Sequence, residues 1–251
     1  MRVWTTVAEW SAHRQALSGS IGFVPTMGAL HCGHASLVER CRAENQVAVA
    51  SIFVNPTQFN DPADLKRYPR TLERDLALLE SLGTDEVLAP PASEVYPLGS
   101  RFRIEEEPLT RRMEGLWRPG FFQGVMLVVL KLLNLVRAGR AYFGEKDYQQ
   151  LQVVRGLARE FFAGTEIVAC PTVREPSGLA ASSRNALLSA GGREKAAALF
   201  HVLRGATGTE TARALLEEQG FSVEYVEEHW GRRFAAVRLE GVRLIDNVPL
   251  P

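Results

Sequence analysis

The chain has little that would mark a disulfide-stapled or membrane-inserted protein. Its 251 residues include three cysteines, Cys32, Cys41 and Cys170, an odd number with no CxxC spacing. That argues against a disulfide framework and leads us to expect a reduced, cytoplasmic setting. The N-terminal stretch has no basic region followed by an apolar core, so no secretory signal is expected. The longest apolar run, residues 125–136, is broken by Lys131 and Asn134 and falls short of the ~20 residues that span a bilayer. Neither sign of charge is in excess: 29 basic residues face 29 acidic ones. This balance argues against bulk nucleic acid or an anionic membrane as partner, because both draw a basic excess. Lysine itself is scarce, with Lys66, Lys131, Lys146 and Lys195 the only four among those 29 basic residues.

What is present is the composition of a globular chain, 46% hydrophobic and 23% charged, long enough for one large or two unequal domains. The first two thirds alternate short apolar runs with helix-period segments, the pattern of parallel strands joined by crossover helices. Strands are expected at residues 21–24, 47–54, 86–89, 101–104, 141–143 and 166–170, and helices at 34–43, 71–82, 122–137 and 147–162. After about residue 172 the order changes to helices (189–205 and 210–219) followed by strands at 222–227, 234–239 and 242–245, a small α+β arrangement. The expected fold is therefore α/β. A Rossmann-like parallel-sheet domain spans residues 1–173, and a smaller α+β C-terminal domain spans 174–251.

Three stretches carry chemistry. The first, Pro25-Thr-Met-Gly-Ala-Leu-His31-Cys-Gly-His34, lies between a strand and a helix, where parallel sheets bind ligands and a helix start offers N–H groups to an anion. His31 and His34 stand three apart, so both rings can lie on one helix face. As a bare pair they also suit a metal, lacking an evident third ligand, or a purely structural role. The second stretch, Gly144-Glu-Lys146-Asp147-Tyr-Gln-Gln150, sits at another strand-to-helix junction and spends one of the rare lysines. There Lys146 suits a polyphosphate, and Asp147 either a ribose or the helix cap. The third, Arg174-Glu-Pro-Ser-Gly178-Leu-Ala-Ala181-Ser182-Ser183-Arg184-Asn185, offers two hydroxyls and an arginine as an anion clamp at the domain boundary.

In order and spacing these motifs, with FVNPTQF at Phe53 to Phe59, YPRT at Tyr68 to Thr71 and GVRLIDN at Gly241 to Asn247, resemble the pantothenate synthetase (pantoate–β-alanine ligase) family. That family is part of the nucleotidyltransferase-like Rossmann superfamily, which shares the HxGH signature. The resemblance implies ATP-dependent condensation of pantoate with β-alanine through a pantoyl adenylate, releasing AMP and pyrophosphate. It further implies ATP and Mg²⁺ as requirements, a homodimer, and a C-terminal domain acting as a lid. The implied ATP site comprises Met27, Gly28, Ala29, Leu30, His31, Cys32, Gly33 and His34, then Gly144, Glu145, Lys146 and Asp147, then Val173, Ala181, Ser182, Ser183 and Arg184. Of these, His34, His31, Lys146 and Arg184 take the catalytic roles, with His34 as proton donor. Gln58, Gln150 and Asn55 correspond to ligands of pantoate, Gln58 also lying close to β-alanine, and Val125, Val128 and Val129 are candidates for an apolar wall. Asp75 is the acidic position matched to Mg²⁺.

The chain departs from the family pattern at Phe121, where many members have His, at Ala181, where Met is common, and at Arg74, where many have a second acidic residue. The competing expectations are an HxGH nucleotidyltransferase acting on another small substrate and a catalytically silent nucleotide-binding protein.

Overall fold

The computed structural model describes residues 1–60 and 62–250. Six parallel strands form one sheet: β1 (Arg2–Trp4), β2 (Ile21–Thr26), β3 (Val47–Ile52), β4 (Glu86–Leu88), β5 (Arg140–Gly144) and β6 (Glu166–Cys170), in the order β1-β4-β3-β2-β5-β6. The central strand β3 reads VAVASI with its four middle residues buried, as expected of a strand covered on both faces. The strand order reverses between β2 and β5, and ligands in open α/β sheets bind outside the carboxyl ends of the strands at such a reversal. The covering helices include Cys32–Glu44, Leu72–Ser81, Phe121–Val136 and Tyr148–Glu160. Leu72–Ser81 starts with Glu73 and Asp75 in its first turn, where the helix dipole favours negative charge.

Two expectations about elements need correction. Residues 101–104 form no strand: Arg101, Phe102 and Arg103 are exposed, and among the described residues no neighbouring strand pairs with them. Conversely β1 and the helix Val7–Ala16 escape periodicity, the strand because it is three residues long, the helix because VAEWSAHRQA buries only Trp10. That helix is nonetheless capped by Thr6, whose hydroxyl accepts from the Glu9 N–H.

Two compact units divide the chain: Met1–Gly144 with Gln149–Cys170, and Glu145–Tyr148 with Pro171–Pro251. The sequence places residues 1–173 in one domain and does not anticipate that the turn Glu145–Tyr148 groups with the later residues. Within the second unit the helices Ala190–Ala196, Ala198–Gly205 and Thr209–Glu218 precede an antiparallel sheet of β7 (Ser222–His229), β8 (Arg232–Leu239) and β9 (Val242–Pro249). Both hairpins close with two-residue turns, Trp230-Gly231 (φ 50° and 65°) and Glu240-Gly241 (φ 52° and 77°). Positive φ at both central residues is the mark of the type I′ turn, whose twist matches the strands it joins. A separate core, including Leu203, Ala212, Leu216, Ala235 and Val237, fills this unit.

Burial also makes the stability of the first unit depend on pH in the alkaline range. The Cys41 thiol, fully buried beside β3, is pushed up from 9.0 to about 12, chiefly by loss of hydration. The Tyr142 hydroxyl, which donates to Glu44 and accepts from Asn45, is pushed from 10.0 to about 12 by the same cause. The folded state therefore holds these protons after the unfolded chain has released them, so the contribution of these two groups to stability is full below about pH 9 and is lost as pH rises towards 12. Urea midpoints measured at pH 8 and pH 10.5 are expected to drop less for Cys41→Ala than for the unaltered chain. Equal drops in both proteins would rule out this origin.

Candidate active site

At the carboxyl end of β2 the chain turns through Met27 and Gly28 (φ 78°), then Ala29 at φ 50°, before His31 caps the helix Cys32–Glu44. The left-handed turn is held by Asp75. Its Oδ2 accepts from the Ala29 N–H and its Oδ1 from the Leu30 N–H, each at 2.8 Å, while the Thr71 hydroxyl donates to Oδ2 at 3.1 Å. A left-handed non-glycine residue costs about 1–2 kcal/mol, and each hydrogen bond to a charged group returns about 1.5–3 kcal/mol. The carboxylate thus outweighs the strain. Gly28 is required beside it, since a Cβ there would lie 2.9 Å from Asp75 Oδ2.

The two histidines form a reciprocal cap. His31 Nδ1 accepts from the Gly33 N–H at 3.1 Å, and His34 Nδ1 accepts from the His31 N–H at 3.4 Å. The rings lie 4.1 Å apart between centroids. A nitrogen that accepts carries no proton, so the tautomer that fits both bonds places it on Nε2 and makes each ring a donor there. The helix start adds its own positive end to the same place. Cys32, first residue of this helix, is exposed.

Behind the loop after β3 lies a relay of amides whose polarity is fixed by backbone groups that cannot exchange roles. Asn55, 1% exposed, accepts at Oδ1 from the Thr57 N–H (3.4 Å) and the Tyr96 hydroxyl (2.8 Å). Its Nδ2 donates to the Gly124 carbonyl (3.1 Å) and to Gln58 Oε1 (3.0 Å). With Oε1 taken, Gln58 presents Nε2, which lies 3.1 Å from the Met27 sulfur. Asn55, expected as a pantoate ligand, is spent inside the protein and serves to orient Gln58. Gly124 allows this: a Cβ on it would come within 2.3 Å of the Thr57 carbonyl oxygen. Val125, Val128 and Val129 are buried in the same helix. Of the neighbouring glutamines, Gln150 is half-buried, whereas Gln149 is buried and anchors residues 109–114. Its Nε2 donates to the carbonyls of Leu109 and Arg112, and its Oε1 accepts from the Glu114 N–H.

In the second unit, Lys146, Ser182, Arg184 and Asn185 line one small pocket with Asp246. Lys146 Nζ lies 3.6 Å from Asp147 Oδ2. The serine and arginine loop is shaped locally: Ala181 N–H donates to Val173 O (2.9 Å), and Ser182 Oγ caps the short helix Ser183–Leu187 by accepting from Arg184 N–H. Buried Ala181 leaves no long side chain at that position. Arg174 is clamped on both Asp246 oxygens at 2.6 and 2.9 Å. Residue type and spacing assign no role to Asp246, Asn247 or Tyr96, although the first two lie in the GVRLIDN string that carries part of the resemblance.

Asp75 does not suit the magnesium role expected of it. It is 1% exposed, its carboxylate already serves three donors, and the neighbouring Arg74 is exposed. Among the described residues no three His, Cys, Asp or Glu side chains gather into a metal-binding group.

A family model for pantoate-beta-alanine ligase matches residues 2–249. The pantothenate synthetase of Bdellovibrio bacteriovorus is 47% identical over 249 residues, covering 99% of each chain. That of Legionella pneumophila (strain Corby) is 48% identical over 249 residues, covering 98% of this chain and 99% of the relative. Among solved structures, a pantoate-beta-alanine ligase from Francisella tularensis, complexed with beta-gamma ATP and beta-alanine, has a TM-score of 0.95 at 40% identity. It covers 99% of this chain and 97% of its own. Pantothenate synthetase from Thermus thermophilus gives 0.92 at 46% identity over the whole of both chains. With a six-stranded parallel sheet bearing the paired-histidine loop at its switch point and likeness running from end to end, this chain belongs to the pantoate–β-alanine ligase family.

Proposed function

We propose that the chain joins pantoate to β-alanine in two steps at the loop that follows β2. In the first, a pantoate carboxylate oxygen bonds to the α-phosphorus of ATP and the bond to pyrophosphate breaks. In the second, the amine of β-alanine bonds to the acyl carbon and AMP leaves with the carboxylate oxygen. No protein nucleophile is needed. Catalysis is then positioning plus charge stabilisation.

The observation that carries this reading is the capped histidine pair. Two Nε2–H donors, a positive helix end and the backbone of a left-handed turn occupy the place where α/β sheets bind anions. His31 and His34 donate to phosphate oxygens from Nε2, and His34 stabilises the charge that builds on departing pyrophosphate. The backbone of residues 27–34 receives the nucleotide. Gly144, Glu145, Lys146 and Asp147, together with Val173, Ala181, Ser182, Ser183 and Arg184, complete the ATP site, Lys146 and Arg184 supplying cationic charge. Gln58 offers its Nε2–H to an oxygen of pantoate and lies close to β-alanine, and Gln150 serves pantoate as well. Mg²⁺ accompanies ATP, held by the phosphates themselves rather than by a carboxylate of the chain. A homodimer is also part of the reading. It is supported by apolar side chains exposed in a single segment, Leu98, Phe102, Leu116 and Trp117. The C-terminal unit acts as a lid that keeps water from the acyl adenylate.

Supplied with ATP, Mg²⁺, pantoate and β-alanine, the protein is expected to release AMP. AMP formed equally well without pantoate would refute the assignment, and a stable adenylylated product would indicate a nucleotidyltransferase instead. His34→Ala and Lys146→Ala are each expected to slow adenylate formation by at least ~10²-fold, the scale of one well-placed acid or charge. Single-turnover rates near those of the unaltered enzyme would remove them from the mechanism. Asn55→Asp keeps the volume but turns Gln58 around, so KM for pantoate is expected to rise about tenfold while KM for ATP stays put. An unchanged pantoate KM would show that the amide relay does not set the polarity offered to substrate. Small-angle scattering should show compaction on adding ATP and pantoate, and an unchanged radius of gyration would count against the lid.

A further inference from the structure

The turn that carries Lys146 is fastened to the C-terminal strand β9 by one side chain. Asn247 is 1% exposed, and its Nδ2 donates to both the Glu145 and the Lys146 carbonyl oxygens, each at 2.9 Å. Its Oδ1 accepts from Arg232 Nε at 2.5 Å. Carbonyls only accept and a guanidinium only donates, so the amide has a single orientation. The backbone of Asn247 is engaged as well: its N–H donates to Asp246 Oδ1 (2.8 Å), and its carbonyl accepts from Arg174 Nη2 (3.3 Å). Arg232 supports the same turn from a second side, lying 3.6 Å from Glu145 Oε2 and over the Tyr148 ring at 4.7 Å.

Through the adjacent pair Asp246 and Asn247, strand β9 therefore grips two phosphate-binding elements. Asp246 holds Arg174 at the root of the loop that leads to Ser182 and Arg184, and Asn247 holds the backbone on which Lys146 stands. From this we infer that Asn247 is a positioning residue for ATP, acting through Lys146. It fixes the two carbonyls ahead of and at the lysine, and so keeps Lys146 and Arg184 as one set of cations carried by the C-terminal unit. The inference rests on the phosphate role proposed for Lys146.

The test is a double-mutant cycle on the full-length enzyme. Asn247→Asp is isosteric and sets a carboxylate oxygen against two carbonyl oxygens, whereas Asn247→Ser retains one donor and guards against a variant that does not fold. Each is expected to raise KM for ATP, about tenfold for Asn247→Asp and less for Asn247→Ser, with KM for pantoate and β-alanine within about twofold and the melting temperature within a few degrees. In a Lys146→Ala background the effect on ATP should vanish. An Asn247 effect that persists undiminished without Lys146, or a fall in melting temperature with all three KM values rising together, would overturn the inference. If Lys146→Ala impairs ATP use while both Asn247 variants behave normally, only the role of Asn247 fails. If Lys146→Ala leaves ATP use unchanged, the phosphate reading itself fails.

Discussion

Two adjacent backbone N–H groups, those of Ala29 and Leu30, fall in a left-handed turn where, among the described residues, no backbone acceptor meets them. One buried carboxylate satisfies both. Everything downstream depends on that bond pair. It sets where His31 leaves the turn, hence where the helix Cys32–Glu44 begins, and hence how the histidine caps form. Because the capping bonds consume both Nδ1 atoms, the same constraint decides that the rings act as donors through Nε2. An acidic residue 45 positions away in sequence from Leu30 thus controls the polarity of a loop it does not belong to.

Much of this was legible in the residues. The apolar run of β3, the motif between β2 and its helix, and the glycine-bearing junction after β5 announced a parallel sheet and its ligand-binding end, because periodicity and turn residues are local properties. The helix–helix–strand order after residue 172 announced the second core in the same way. What escaped was short or long-range. β1 has three residues and lies at a sheet edge, so no alternation can develop. The charged stretch 101–104 looked like a strand only because alternation of Arg and apolar residues ignores whether a neighbour exists to pair with.

The site shows the same division. His31, His34 and Lys146 stand out by residue type at strand-to-helix junctions, whereas Arg184 stands out in a loop only through the order of the motifs, and the resemblance implies the roles of all four. The roles of Asp75, Asn55 and Asn247 do not stand out, because the chemistry of an Asp or Asn depends on partners 45, 69 and 101 residues distant, Leu30, Gly124 and Lys146 respectively. Matching by position suggested ligands of substrate or metal for the first two. Geometry shows instead three polar side chains whose hydrogen bonds go to backbone groups and to neighbouring side chains within the protein. Burial separates the two cases: a polar group almost fully removed from water has its partners inside the protein.

The type I′ turn at Glu240-Gly241 places Asp246 opposite Ala235 and Asn247 opposite Phe234. Successive residues on a strand face opposite sides of a sheet, so this register also decides which of the pair looks towards the lysine turn and which towards the arginine loop. One residue added to or lost from the Glu240-Gly241 turn would interchange those two faces and, by the same slip, turn Val242, Leu244 and Val248 out of the core of this unit. The length of a two-residue hairpin thus sets at once which side chains of β9 fill the core and which of Asp246 and Asn247 meets the lysine turn.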